Sequence, residues 1–468
     1  MQTRTRFKTT FAATVIMSLL IIAVLATLLF VKGPRVRFVQ FETDPAAHSL
    51  LLGSTITVHF DRPLQDNDYL DQITFSPDLE FTATTSGQKI NITLQQNPQA
   101  ATTYSLKIGD QIFDTTDRTM KSVETYEFTT SQPRYMYLER NYGFDFSDDT
   151  DNFTDKPDVI KLAQPGLETQ NVFEAEQISM FDANSDYAVV AMVGEEFDNL
   201  VTINLQTGEK RVEDTRFSGR VDNLAIGPRS NHALFTVTPD SDRVSSAYYA
   251  ATAHTLFSID LEDGTVTPLS QQDGRAIQAY SVHMGMFGQV ALVQTIEQSF
   301  YAVSVYGEYD PVVIGSYANS FGFSDKDSAI LFNTPTNELV VYDVASSDLE
   351  PIQSNFSGYF SDIVSGLNAR YVSSSTYADG ISRYFIDRIE DDGAVNLLWS
   401  NQSQEKLLRG FSVSYDESIL ALHVNPGGCQ FDKVLPNPEC QLAKTQLYDI
   451  DQSKIIDEFT GFDLVWLP

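Results

Sequence analysis

Residues 178–192 read ISMFDANSDYAVVAM and residues 200–212 read LVTINLQTGEKRV. The first stretch joins an apolar strand to a polar turn and then to a second, more continuous apolar strand. The second stretch is a strand that breaks at a Thr-Gly turn before another short strand. The first half of this pattern returns five times: LAIGPRSNHALFTV from Leu224, YSVHMGMFGQVALVQ from Tyr280, FGFSDKDSAILFN from Phe321, YFSDIVSGLNARYVSS from Tyr359 and FSVSYDESILALHV from Phe411. The second half returns as LFSIDLEDGTVTPL, LVVYDVASSDLEPI and LYDIDQSKIIDEF.

Four short strands per unit, with units about 38 to 57 residues apart, is the pattern of a β-propeller blade. Six full units are visible, and a seventh can be assembled from both ends of the region. Gly461 to Trp466 supplies a lone innermost strand, and Tyr135 to Leu162 supplies the outer ones. Pairing the two ends closes the ring and removes open sheet edges. The expectation is therefore a propeller over residues 133–468 with seven blades, six or eight being the alternatives. Aromatic pairs such as Phe321/Phe323 and Phe411/Tyr415 are expected in the core between blades. The repeats resemble TolB-like and other WD-type propellers, although the Trp-Asp dipeptide is missing; the resemblance implies fold only.

Ahead of the repeats, residues 38–131 alternate as short strands. STITVHF places Ile56, Val58 and Phe60 on one face, and Ser86-Gly87 sits as a hairpin turn between FTATT and KINITL. About seven strands in some 90 residues indicate a β-sandwich. Val58, Phe60 and Pro63, then Pro77, then Tyr104, Leu106 and Ile108, and finally Phe128 and Thr130 follow an order that resembles the bacterial Ig-like modules of surface-layer and envelope proteins. That resemblance implies a spacer or adhesion domain, with these residues serving as core and turn.

Charge and hydropathy divide the chain further. Phe11 to Val31 (FAATVIMSLLIIAVLATLLFV) is almost wholly apolar, and 21 helical residues would span ~32 Å against a hydrocarbon core of ~30 Å. The run is longer than a cleavable signal and no Ala-x-Ala site follows it, so it reads as a single-pass transmembrane signal-anchor over 11–31, with 1–10 as a short cytoplasmic tail. Flanking charges are nearly balanced, and the N-terminal amine tips the N-terminus toward the cytoplasm. Through Arg37 there are six basic residues and no acidic ones, which leaves 25 Lys and Arg against 63 Asp and Glu, a net of −38, on the body. Such a body repels nucleic acid. The only cysteines, Cys429 and Cys440, lie in one Gly- and Pro-rich loop. They read as a short disulfide in an oxidising compartment rather than as a zinc site, since no His or second Cys pair stands at ligand spacing.

The sequence carries no motif for a reaction. Gly-x-Ser-x-Gly, P-loop, dinucleotide, HExxH and Asp-box patterns are all missing, and His48, His59, His232, His254, His283 and His423 are scattered. Two acidic stretches invite a calcium reading. Asp145 to Asp155 lacks the Gly and Glu that an EF-hand loop requires, and Asp182-x-Asn184-x-Asp186 continues with Tyr187 and Val193 at those positions. The reading is thus an all-β ectodomain in the cell envelope that binds a protein, peptide or glycan, with no catalytic residues, metal or cofactor assigned. The alternative is a propeller hydrolase or lactonase that uses the central channel.

Overall fold

The computed structural model describes residues 11, 14–22, 33–46, 50–141, 156–213, 219–271, 273–323, 329–333, 338–344, 346–352, 359–366, 369–378, 381–390, 393–401, 406–427, 439–440 and 442–468. The chain is all-β and divides into two compact units, Met1–Ser131 and Gln132–Pro468.

In the first unit a four-stranded and a three-stranded sheet share one apolar core. The alternation read from STITVHF is real: Ile56, Val58 and Phe60 are buried, and so are Tyr104, Leu106, Ile108 and Phe128. The polar residues among them hold the turns. Tyr104 Oη accepts from the Gln99 N–H at 2.9 Å, and Thr130 Oγ1 donates to the Gln99 carbonyl at 2.6 Å. Asp114 closes another turn, its Oδ1 accepting from Thr116 and Arg118. Burial pushes the Asp114 carboxyl up, but these hydrogen bonds outweigh it and leave the pKa below the ordinary value.

Of the membrane helix expected over 11–31, residue 11 and residues 14–22 are described, and both parts are helical. Among the described residues no helix is long and apolar enough to cross a membrane; residues 12–13 and 23–31 of the expected span lie outside them.

The second unit holds seven four-stranded antiparallel sheets. Six are consecutive in sequence: blade 1 (178–212), blade 2 (220–268), blade 3 (281–316), blade 4 (319–351), blade 5 (359–401) and blade 6 (406–460). Their innermost strands neighbour one another in order. Seven apolar clusters lie at the seven interfaces between sheets. Blade 1 shows why its second strand is a continuous apolar run. In Tyr187–Met192, Ala188 and Val190 pack toward the closing blade, while Val189 and Ala191 pack toward blade 2. Sheets buried on both faces need apolar residues on both. One element was not legible: the helix Ser246–Thr252, capped by Ser245 Oγ, interrupts blade 2 between its second and third strands.

The seventh sheet is built from both ends of the unit. Its order from the outside is Gln170–Ala175, Asp158–Ala163, Arg134–Glu139 and, innermost, Phe462–Leu467. The outermost strand lies beyond the segment expected from sequence, because QNVFEA has only one buried side chain and no clear alternation. Trp466 locks the closure: its ring meets Tyr135 edge-on at 5.4 Å, and its Nε1 donates to Ser412 Oγ in blade 6 at 3.0 Å. Gly461 makes the preceding turn at φ +147°, where an added Cβ would stand 2.5 Å from the Tyr137 ring.

Trp466→Ala should therefore cost about 3–5 kcal/mol of propeller stability in urea unfolding, and Trp466→Phe, which keeps the ring packing but not the hydrogen bond, about 1–2 kcal/mol. Equal losses for the two variants would contradict this account of the closure.

Candidate functional site

Several acids that sequence reading set aside as solvated turn out to hook one blade to the next. Asp158 accepts from the Ile178 N–H at 2.9 Å and from the Asn141 N–H at 3.0 Å, beside the buried guanidinium of Arg140. One blade on, Asp198 does the same work, accepting from the Val221 N–H at 2.9 Å and from Arg220 at 2.6 Å. Burial nevertheless raises the Asp198 pKa against these bonds. The stretch that begins like a calcium loop is also structural. Asn184 Oδ1 accepts from the Asp186 and Tyr187 N–H groups, and its Nδ2 donates to the Gly227 and Ser230 carbonyls of blade 2. Asp182 accepts from the Ile226 N–H at 2.7 Å. Burial strips most of the water from this carboxyl and lifts its pKa to about 7 against its two backbone hydrogen bonds. The acidic stretch Asp145 to Asp155 lies outside the described residues.

The histidines do not converge. His59 stacks on Phe38, His232 sits between Asp260 and Tyr306, and desolvation holds His283 down to about 4. His254 comes nearest to a catalytic grouping, with Asp222 Oδ2 at 3.0 Å, Thr238 Oγ1 at 3.2 Å and Thr238 itself bonded to Asp222. Both contacts fall on Nδ1. A relay needs the acid on one ring nitrogen and the nucleophile on the other, so this cluster cannot take a proton from Thr238 while Asp222 orients the ring. Among the described residues no three of His, Cys, Asp and Glu sit where they could hold a metal ion.

A recess lies along the seam between blade 6 and the closing blade. The strand Arg134–Glu139 turns Tyr135, Tyr137 and Glu139 to one side, and Lys454–Thr460 contributes Asp457 and Phe459. The groove measures about 700 Å³, within the range of small-ligand sites. Phe459 packs on Tyr137 at 4.2 Å and on Tyr135 at 5.6 Å to form the floor. Burial drives both phenols up, Tyr137 to about 12. Above the floor stand the Glu139–Lys161 ion pair, Asp457, Asn141 and the exposed Lys156; Leu167 and Leu442, 63 % and 66 % exposed, form the lips. Here charged side chains stand beside the apolar contact that joins the two blades, and keep water or partners.

Of the residues singled out from sequence, Cys440 is buried in the cluster beside Ala443 and Phe462, is not free, and stands two residues before the lip at Leu442. Its expected partner Cys429 lies outside the described residues. Tyr135, Tyr137 and Phe459 were missed as site residues. The available signal was Glu139, Lys161 and Asp457, charges placed within strands.

Residues 34–130 match a family described as a bacterial Ig-like domain, starting four residues before the boundary read from sequence. No curated protein matches the chain. Among solved structures the chain is similar to TolB from Acinetobacter baumannii, at 12% identity over 79% of this chain and 81% of that one, with a TM-score of 0.38. It is also similar to the Cps50 (Swd1) β-propeller domain from Myceliophteria thermophila, at 13% identity, covering 61% and 86%, with a TM-score of 0.40. The tricorn protease aligns at 9% identity over 91% of this chain and 47% of that one, with a TM-score of 0.44.

Asp182 gives a pH prediction. Its folded pKa, about 7, stands above the unfolded 3.8. The cost of ionising it is absent below about pH 4, grows as pH rises, and is complete above about pH 7. Asp182→Asn keeps an oxygen for Ile226 and carries no charge. It should be more stable than wild type by about 1–3 kcal/mol at pH 8, less than the full shift because the side chain keeps some solvent contact, and should match wild type at pH 4. A difference that does not change with pH would refute this.

Proposed function

We propose that this chain is a membrane-anchored, extracytoplasmic binding and scaffolding protein of the cell envelope, and that its propeller holds a protein, peptide or glycan partner in the seam groove. An Ig-like domain joined to a propeller suggests a binding or scaffolding role. The observation that carries the proposal is the groove itself: a mixed polar and apolar recess with two exposed leucine lips. A rigid ring that presents variable side chains is suited to recognition. The anchor is supported by the apolar run from Phe11 to Val31, and the outside location by the loop that carries Cys429 and Cys440.

Two measurements test this reading. A photo-crosslinking residue at position 167 or 442 should capture the same envelope component, and one at Val313, equally exposed on the outer edge of blade 3, should not. Equal capture from all three positions, or none, would overturn the groove as the contact. The unreduced chain should remain in the membrane pellet through alkaline extraction and show no reactive thiol, with two thiols appearing on reduction. Release into the supernatant would overturn the anchor, and free thiols before reduction would overturn the disulfide.

A further inference from the structure

His423 and Asn425 stand two residues apart on one face of the strand Ile419–Pro426 in blade 6, and Glu439 approaches them from just ahead of the strand Lys444–Asp449. His423 Nε2 lies 3.7 Å from Glu439 Oε1. Asn425 Nδ2 donates to that same oxygen at 3.0 Å, and so does the Cys440 N–H. All three side chains are largely shielded, Asn425 almost completely at 1 % exposure. Two of their atoms, His423 Nε2 and Asn425 Oδ1, are buried without a hydrogen-bond partner. A buried polar atom left without a partner is uncommon and asks for an occupant.

The chemistry of the open positions narrows that occupant. Burial lowers the pKa of His423 and Arg409 pushes the same way, against the opposing pull of Glu439, which favours the neutral ring. With its proton on Nδ1, the ring presents a lone pair at Nε2. The donation from Asn425 Nδ2 to Glu439 fixes the amide so that its oxygen is the open atom. Two open acceptors, a ring lone pair and an amide oxygen, thus lie on side chains that both adjoin one carboxylate, and a cation answers them together. Phe462 stacks on the imidazole at 6.0 Å and 14°, and Arg140 lies over the same Phe462 ring at 4.8 Å; together they hold the histidine in place. The nearby cations Arg140 and Arg409 oppose a further positive charge, while Asp158, paired with Arg140, and Glu439 offset them.

We propose that His423 Nε2, Asn425 Oδ1 and the Glu439 carboxylate bind a divalent transition-metal ion of the zinc class, with water completing the coordination. Mixed imidazole and oxygen donors favour zinc-like ions over calcium, which takes oxygen alone. The site differs from the acidic stretches read from sequence, and it does not depend on the seam groove.

The test uses the full chain in detergent, stripped with chelator and dialysed against Zn²⁺ alone, with Ca²⁺ and Co²⁺ in parallel. Wild type should take up one Zn²⁺ that Ca²⁺ does not displace, and Co²⁺ should give visible d–d absorption. His423→Ala should weaken Zn²⁺ binding at least tenfold and abolish the Co²⁺ bands. Asn425→Asp, which exchanges the amide oxygen for a carboxylate, should tighten binding at least tenfold, so the proposal stays testable if the alanine variant fails to fold. Equal uptake by wild type and His423→Ala, no uptake by wild type, or no gain from Asn425→Asp would each overturn it, leaving a buried water as the occupant.

Discussion

A strand at either end of a ring of sheets has a bare edge until the other end reaches it. The pairing of Phe462–Leu467 with Arg134–Glu139 removes both edges at once, and the rest of the second unit depends on it. Without it the first sheet would lack its innermost strand, and the cluster that joins Tyr135, Tyr137 and Trp466 to Ile419 and Leu447 of blade 6 could not form. Long-range closure of this kind ties the stability of the ring to contacts between the two ends of the unit, with more than three hundred residues between them. The closure also produces the groove, because at the seam an ion pair and an aspartate stand beside the apolar contact.

The acidity of the body has two physical parts. Most acidic residues face solvent and oppose association with other polyanions. A minority, Asp158, Asp182 and Asp198, are withdrawn from water and bonded to backbone N–H groups of the next blade. These positions hold the inner strands in register more specifically than apolar contact does, at a cost visible in the raised pKa of Asp182 and Asp198.

How much could be read from sequence follows from these forces. The six consecutive blades were legible because each repeats a continuous apolar strand flanked by turn residues, as in Tyr187–Met192 and Ile419–Pro426. The closing strand was legible because Trp466 and its neighbours form an apolar strand with no partner nearby in the chain. The outermost strand Gln170–Ala175 and the helix Ser246–Thr252 were not, since one carries a single buried residue and the other none. Site residues were the least legible. Glu139, Lys161 and Asp457 become a groove, and His423, Asn425 and Glu439 a cluster, only when segments distant in sequence are brought together; locally they show no more than polar residues in or beside strands.

The central claim is that the ends of the second unit are zipped into one sheet. Hydrogen exchange on the full chain measures this directly, amide by amide. The account predicts that Phe462–Leu467 and Arg134–Glu139 exchange together, as slowly as the innermost strands of blades 1 to 6. Rapid exchange in Phe462–Leu467, as in a frayed end, while the other inner strands stay protected, would contradict it.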